Sequence, residues 1–92
     1  MTIQDHIKTV LSEDEDVILA DGLGAAFIGI GRQFNTPIAV YSRSKAIQCF
    51  IDQGMTEEEA EEFFEFNTAG AYVGEQTPIF IDDSNDINPS LN

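Results

Sequence analysis

The chain has 92 residues, 42% of them apolar, and a formal charge of −13 from 17 acids against four bases. That length bounds it to one domain with a small core, burying about 60–65% of the surface its unfolded form exposes, while nine aromatics and ordinary apolar content exclude a fully disordered chain. The charge sets it against nucleic acid and anionic membrane as direct partners and favours basic ones.

Residues 3–11 read as an amphipathic helix, because Ile3, Ile7, Val10 and Leu11 recur on one face of a 3.6-residue period. Thr2 is placed to cap its start, and Asp5 suits the positive end of the helix dipole. Glu13 to Asp16 form an acidic, solvated loop. Val17 to Ala20 read as a short buried strand or part of a longer loop, closed by the Asp21-Gly22 and Gly24 turn signals. Ala25 to Phe34 read as a strand, with Ala26, Ile28 and Ile30 on one face and Phe27, Gly29 and Gly31 on the other. Asn35-Thr36-Pro37 is the expected turn and Ile38–Tyr41 the second strand of an antiparallel hairpin.

Ser42 is an N-cap signal for a helix running to about Gln53, with Ala46, Ile47, Phe50 and Ile51 as its apolar stripe. Gly54 stands where a left-handed residue closes such a helix. Thr56 and Glu59 then form a capping box, with Met55 as the preceding staple residue. On that next helix Ala60, Phe63, Phe64 and Asn67 cluster on one face and Glu58, Glu61, Glu62 and Glu65 on the opposite one, with the end near Asn67–Gly70. Tyr72-Val73 and Pro78–Ile81 are expected to be extended, with Gly74 at a turn between them. The predicted class is α+β: a small, mostly antiparallel sheet covered on one face by two to three helices, as one domain over residues 1–82, followed by a flexible acidic tail over 83–92.

No apolar run approaches the roughly 18 residues that span a bilayer. Residues 1–6 show no basic, apolar leader, and the single cysteine, Cys49, forms no internal disulfide, so a reducing cytoplasm is the expected compartment. The same inventory leaves little for catalysis. One histidine, His6, and Cys49 sit on different helices, and Cys49 borders an apolar stripe where an inert thiol is the usual outcome. Asp82, Ser84 and Asp86 imitate the start of a calcium loop, but Ile87 stands where its glycine is required and the last ligand position is lacking. The glutamates of the third helix read as a solvated face rather than a divalent-ion site. No enzyme, metal site or cofactor is expected.

Two binding readings remain. The charge is segmented: Gly22 to Ile51 contain no acid and hold Arg32, Arg43 and Lys45, whereas Asp52 to Asn92 hold eleven acids and no base. In the first reading, Glu58, Glu61, Glu62 and Glu65 span about 10 Å of helix, a spacing on the scale of nucleic-acid phosphates. Phe66 and Tyr72 add aromatic contacts of the kind enriched at interfaces. In the second, Gly29, Gly31, Arg32, Arg43 and Lys45 hold a small anion or nucleotide, although no phosphate-loop motif is present and the two glycines equally leave room for a packed aromatic such as Phe63. The exposed edge of so short a sheet also allows a homodimer.

The run Phe27–Arg32, the run Ile38–Tyr41, and the Glu-rich helix ending in Phe66-Asn67 before Gly-Ala-Tyr-Val-Gly and Thr-Pro together resemble a group of small, functionally unassigned bacteriophage proteins, over residues 25–81. That resemblance implies expression in the cytoplasm of an infected bacterium. It also implies a non-enzymatic role in host takeover or in countering defence, by binding and inhibiting a bacterial host or defence protein, for which the charge of this chain favours a basic surface. It supplies no catalytic residue, and the acidic head and tail fall outside the shared pattern.

Overall fold

The computed structural model describes residues 2–68 and 72–83. In chain order the elements are α1 (Ile3–Val10), a 3-10 turn (Gly24–Ala26), β1 (Phe27–Gln33), β2 (Thr36–Ser42), α2 (Arg43–Asp52), α3 (Glu57–Phe63) continuing as a π-helical turn (Phe64–Thr68), and β3 (Ile79–Ile81). The fold is α+β. The sheet has the order β1-β2-β3, with β1 antiparallel and β3 parallel to β2. It is therefore mixed. The tight hairpin reverses the chain after β1, whereas two helices intervene between β2 and β3 and return it to run in the same direction as β2.

Local signals set the helix ends. Thr2 Oγ1 accepts from the Asp5 N–H while Asp5 accepts from the Thr2 N–H, and Thr56 and Glu59 repeat this reciprocal box on α3. The end of α2 is a Schellman motif: the Gly54 N–H donates to Ile51 O at 2.9 Å and the Met55 N–H to Phe50 O at 3.2 Å. Gly54 has φ +109, and a Cβ there meets nothing within 4 Å, so the penalty for a side chain is purely conformational. Gly54→Ala is expected to destabilise the fold by about 1 kcal/mol, read as a lower denaturation midpoint with an unchanged m-value.

The start of α2 is tied down by a residue far away in sequence. Ser42, 1% exposed, donates to Asp83 Oδ2 at 2.6 Å and accepts from the Lys45 N–H, while Asp83 Oδ1 accepts from the Ser44 N–H at 2.9 Å. Partial burial works against the Asp83 charge, but the hydrogen bonds from Ser42 and Ser44 prevail and hold its carboxyl below the usual carboxylate range. A carboxylate at this helix terminus also meets the positive end of its dipole. Asp83 is thus anchored to the domain; the rest of the expected tail, with Ser84 and Asp86, lies outside the described residues.

The core joins Leu23, Ala26, Ala39, Tyr41, Ala46, Ile47, Phe50, Ala60 and Phe64. Tyr41 stacks on Phe80 (5.5 Å), and Phe64 stands edge-on to Phe80 (5.1 Å), so β2, β3 and the end of α3 meet through aromatic rings. Val17 to Ala20 form no strand. Val17, Leu19 and Ala20 do pack against the core, but the Ala20 N–H donates to the buried Tyr41 hydroxyl at 2.8 Å instead of to a strand backbone. The bare glycines do not make room for Phe63: a Cβ on Gly29 would lie 3.6 Å from His6 Nε2 of α1, an ordinary contact, and one on Gly31 a tight 3.2 Å from Val40 Cγ2 of β2.

The hairpin turn differs from expectation. Gln33 pairs with Thr36, so the loop is Phe34-Asn35, and both residues are left-handed, with φ 52 and 66. Thr36 and Pro37 belong to β2. A proline is tolerated there because β3 reaches only Val40–Ser42, which leaves the first half of β2 with a single neighbour. A left-handed phenylalanine costs about 1–2 kcal/mol, and Phe34 is 94% exposed, so its ring recovers nothing from the rest of the chain.

Candidate partner-binding surface

The candidate surface is carried by α3 and the π-helical turn that follows it. The register of α3 is set by Ala60 and Phe64, both buried, so Glu58, Glu61 and Glu62 project into solvent. Among the described residues these three carboxylates make no hydrogen bond or ion pair; Glu59 is occupied with its own capping box, whose bonds from Thr56 hold its carboxyl low. Glu65, the fourth residue of the expected acidic stripe, is not free. It accepts from Arg43 Nη2 at 3.1 Å, and Arg43 also approaches Asp82 at 3.7 Å and lies 5.4 Å from the centre of the Phe64 ring. The electronegative stripe therefore ends one helical turn earlier than the sequence pattern indicates.

Aromatic surface flanks this stripe. Phe66 is 82% exposed and Tyr72 78%. The segment between Asn67 and Tyr72 contains Ala69, Gly70 and Ala71, which lie outside the described residues. Phe63 was expected in the core but is only partly covered, standing edge-on to Phe50 at 4.9 Å. It lines two adjoining depressions. One, of about 350 Å³, runs between Glu59, Glu62, Phe66 and Met55. The other, of about 270 Å³, is walled by Ile18, Leu23, Val73 and Phe80 with Asp21 at its edge. The result is an apolar groove with carboxylates on its rim. Val73 and Ile18 were missed as surface contributors because each reads as strand-forming in isolation; only the exposure left by the short sheet reveals them.

The five residues of the anion-binding reading do not converge. Arg32 sits opposite Pro37, and Arg43 follows the far end of β2, about 20 Å away at 3.3 Å per residue. Arg32 donates from both terminal nitrogens to Glu15, at 2.6 and 2.8 Å, and Arg43 is held by Glu65. Gly29 and Gly31 face His6 and Val40, and Lys45 lies exposed on the first turn of α2. The acidic loop at Glu13 to Asp16 is accordingly not wholly solvated, since Glu15 is spent on Arg32.

That pair has a pH signature. Hydrogen bonds from Arg32, and then from the Ser12 N–H, bring the Glu15 carboxyl from 4.5 down to about 2. A folded value below the unfolded one stabilises the protein fully above the unfolded value and loses that stabilisation as pH falls through the folded one. The melting-temperature difference between wild type and Glu15→Gln should therefore be constant above about pH 5 and vanish as the pH approaches 2. Thermal melts across that range check it.

The two residues suited to nucleophilic chemistry are occupied structurally. His6 stands edge-on to Phe27 at 5.7 Å, and Cys49 packs against the core, where burial, and then the negative charge of Asp52, push its thiol up. Among the described residues no three His, Cys, Asp or Glu side chains are grouped to hold a metal ion, and no helix is long and apolar enough to cross a membrane. No family model, curated protein or solved structure matches the chain.

Proposed function

We propose that this chain is a non-enzymatic binding protein that sets the acidic rim and aromatic groove of α3 against a basic protein surface and acts by occluding it. The observation that carries the reading is a helix with three exposed, unpaired carboxylates, Glu58, Glu61 and Glu62, one of which, Glu62, lines a depression together with Phe63 and the exposed ring of Phe66 from the turn that follows. Carboxylates steer a basic partner from a distance, and exposed aromatics beside a groove supply the desolvated anchors on which affinity depends. The spacing of the carboxylates suits a partner whose own surface is built for nucleic-acid phosphates. The resemblance to small phage proteins directs the search to a bacterial host or defence protein, met in the host cytoplasm.

The immobilised chain, exposed to bacterial lysate at low and at high salt, tests this reading. Capture of a basic protein is expected at low salt and its release at high salt, because exposed charges are screened beyond about 8–10 Å near physiological ionic strength. Capture that is indifferent to salt counts against an electrostatic docking face.

A further inference from the structure

The groove beside α3 has two halves divided by one ridge. Phe63 and Asn67, about one helical turn apart, line both depressions. In the half of about 270 Å³, the core residues Leu23 and Phe50 form part of the lining, and Asp21 stands at the edge. In the half of about 350 Å³, Met55 and Phe66 supply apolar surface, and Glu62 stands at the edge. No lysine or arginine lines either half. The Asp21 and Glu62 carboxylates and the Asn67 amide are exposed, and among the described residues none of these three side chains is bonded within the chain.

This arrangement selects its occupant by charge. A neutral apolar molecule would cover the lining but strip water from carboxylates on both sides of the ridge without giving them a counter-charge. A second copy of this chain, itself at −13, would be repelled. A base with no apolar neighbour would leave the surface over Leu23 and Phe50 in water. A large apolar side chain with a base on each side meets all these demands. The Asn67 amide carries a donor and an acceptor, which match the C=O and N–H of a peptide lying across the ridge.

We infer that the groove takes a linear basic segment of the partner, seating one large apolar side chain over Leu23 and Phe50 while lysines or arginines on either side of it meet Asp21 and Glu62. The stem of the base at Glu62 lies along Met55 and Phe66, with its charged head in water. The inference rests on the docking reading above and narrows it from a basic surface to a basic segment with an apolar anchor. The anchor supplies the desolvated contact, and the flanking charges select which anchors enter.

Titration of the nitrogen-15-labelled full chain at low salt, followed by amide NMR shifts, tests the inference with three synthetic peptides. The first is a phenylalanine between two runs of three lysines, the second has serine in place of the phenylalanine, and the third keeps the phenylalanine between two runs of three serines. The first is expected to bind at least about tenfold more tightly than the second, the gain from burying one large apolar side chain, and to shift the amides of Leu23, Asn67 and Val73. The third should bind at least about tenfold more weakly than the first. Val73→Lys sets a base in the groove at a position that is 55% exposed. It should keep the wild-type melting temperature and bind the first peptide no better than the second. Equal binding of the two lysine peptides overturns the inference and leaves the acidic docking face standing, whereas binding of neither overturns both. A neutral peptide that binds as tightly as the first, shifts confined to other residues, or the same shifts produced by raising the protein concentration alone also overturn it.

Discussion

Simultaneous replacement of Glu58, Glu61 and Glu62 by lysine is expected to abolish binding to the basic partner while leaving the fold intact. None of the three is bonded within the described chain, and all are exposed, so their removal breaks nothing inside the domain, and surface changes of this kind usually stay within about 0.5 kcal/mol each. At the interface each reversal replaces an attraction by a repulsion. Like charges set against one another cost several kcal/mol in total, about a hundredfold or more in Kd. Glu59 and Glu65 are left untouched, because Glu59 closes the capping box and Glu65 holds Arg43; altering them would mix a structural loss with the electrostatic one. Circular dichroism and a melting curve check the fold, and titration of the purified partner at two salt concentrations checks binding. A folded triple variant that binds like wild type sinks the proposal.

The second large effect separates two phenylalanines that lie two residues apart. Phe64 is 2% exposed, stands edge-on to Phe80 and lies beneath Arg43. Phe64→Ala removes a ring from the junction of α3, β2 and β3 and is expected to cost about 3–5 kcal/mol. A domain of this size has about 5–14 kcal/mol in all, so the melting temperature should fall by more than about 12 °C. Phe66 is 82% exposed. Phe66→Ala should leave the melting temperature nearly unchanged and weaken partner binding by about 2 kcal/mol or more, as the loss of an aromatic anchor does. Equal thermal effects at the two positions would show that the π-helical turn is oriented differently from the description above.

The helical period explains why Phe64 and Phe66 part company, since residues two apart project to nearly opposite faces. A helical wheel separates the inward residues Ala60 and Phe64 from the outward glutamates, and both groups are found where the period puts them. Phe63 is the exception. The wheel assigns it to the core, but the sheet is too short to cover it, and it is left as a wall shared by two depressions. Glu65 shows the converse limit. Its exposure follows from the period, but its partner, Arg43, is 22 positions away, and no local rule couples them.

The amino-acid order alone determined whatever depends on neighbours within a turn or two. This covers the N-cap at Thr2, the capping box at Thr56, the Gly54 helix stop, the apolar stripe of α2, the outward glutamates of α3 and the antiparallel hairpin. Each is settled by backbone geometry, side-chain periodicity and hydrogen bonds among residues close in sequence, none more than 14 positions apart. Tertiary structure decided the rest: the parallel placement of β3, the loop form of Val17 to Ala20 across the Tyr41 hydroxyl, the approach of His6 to Gly29, the anchoring of Asp83 on α2, and the pairing of Glu15 with Arg32 and of Glu65 with Arg43. Those depend on which surfaces remain to be buried or charges to be matched once the local elements exist, and that competition involves residues tens of positions apart.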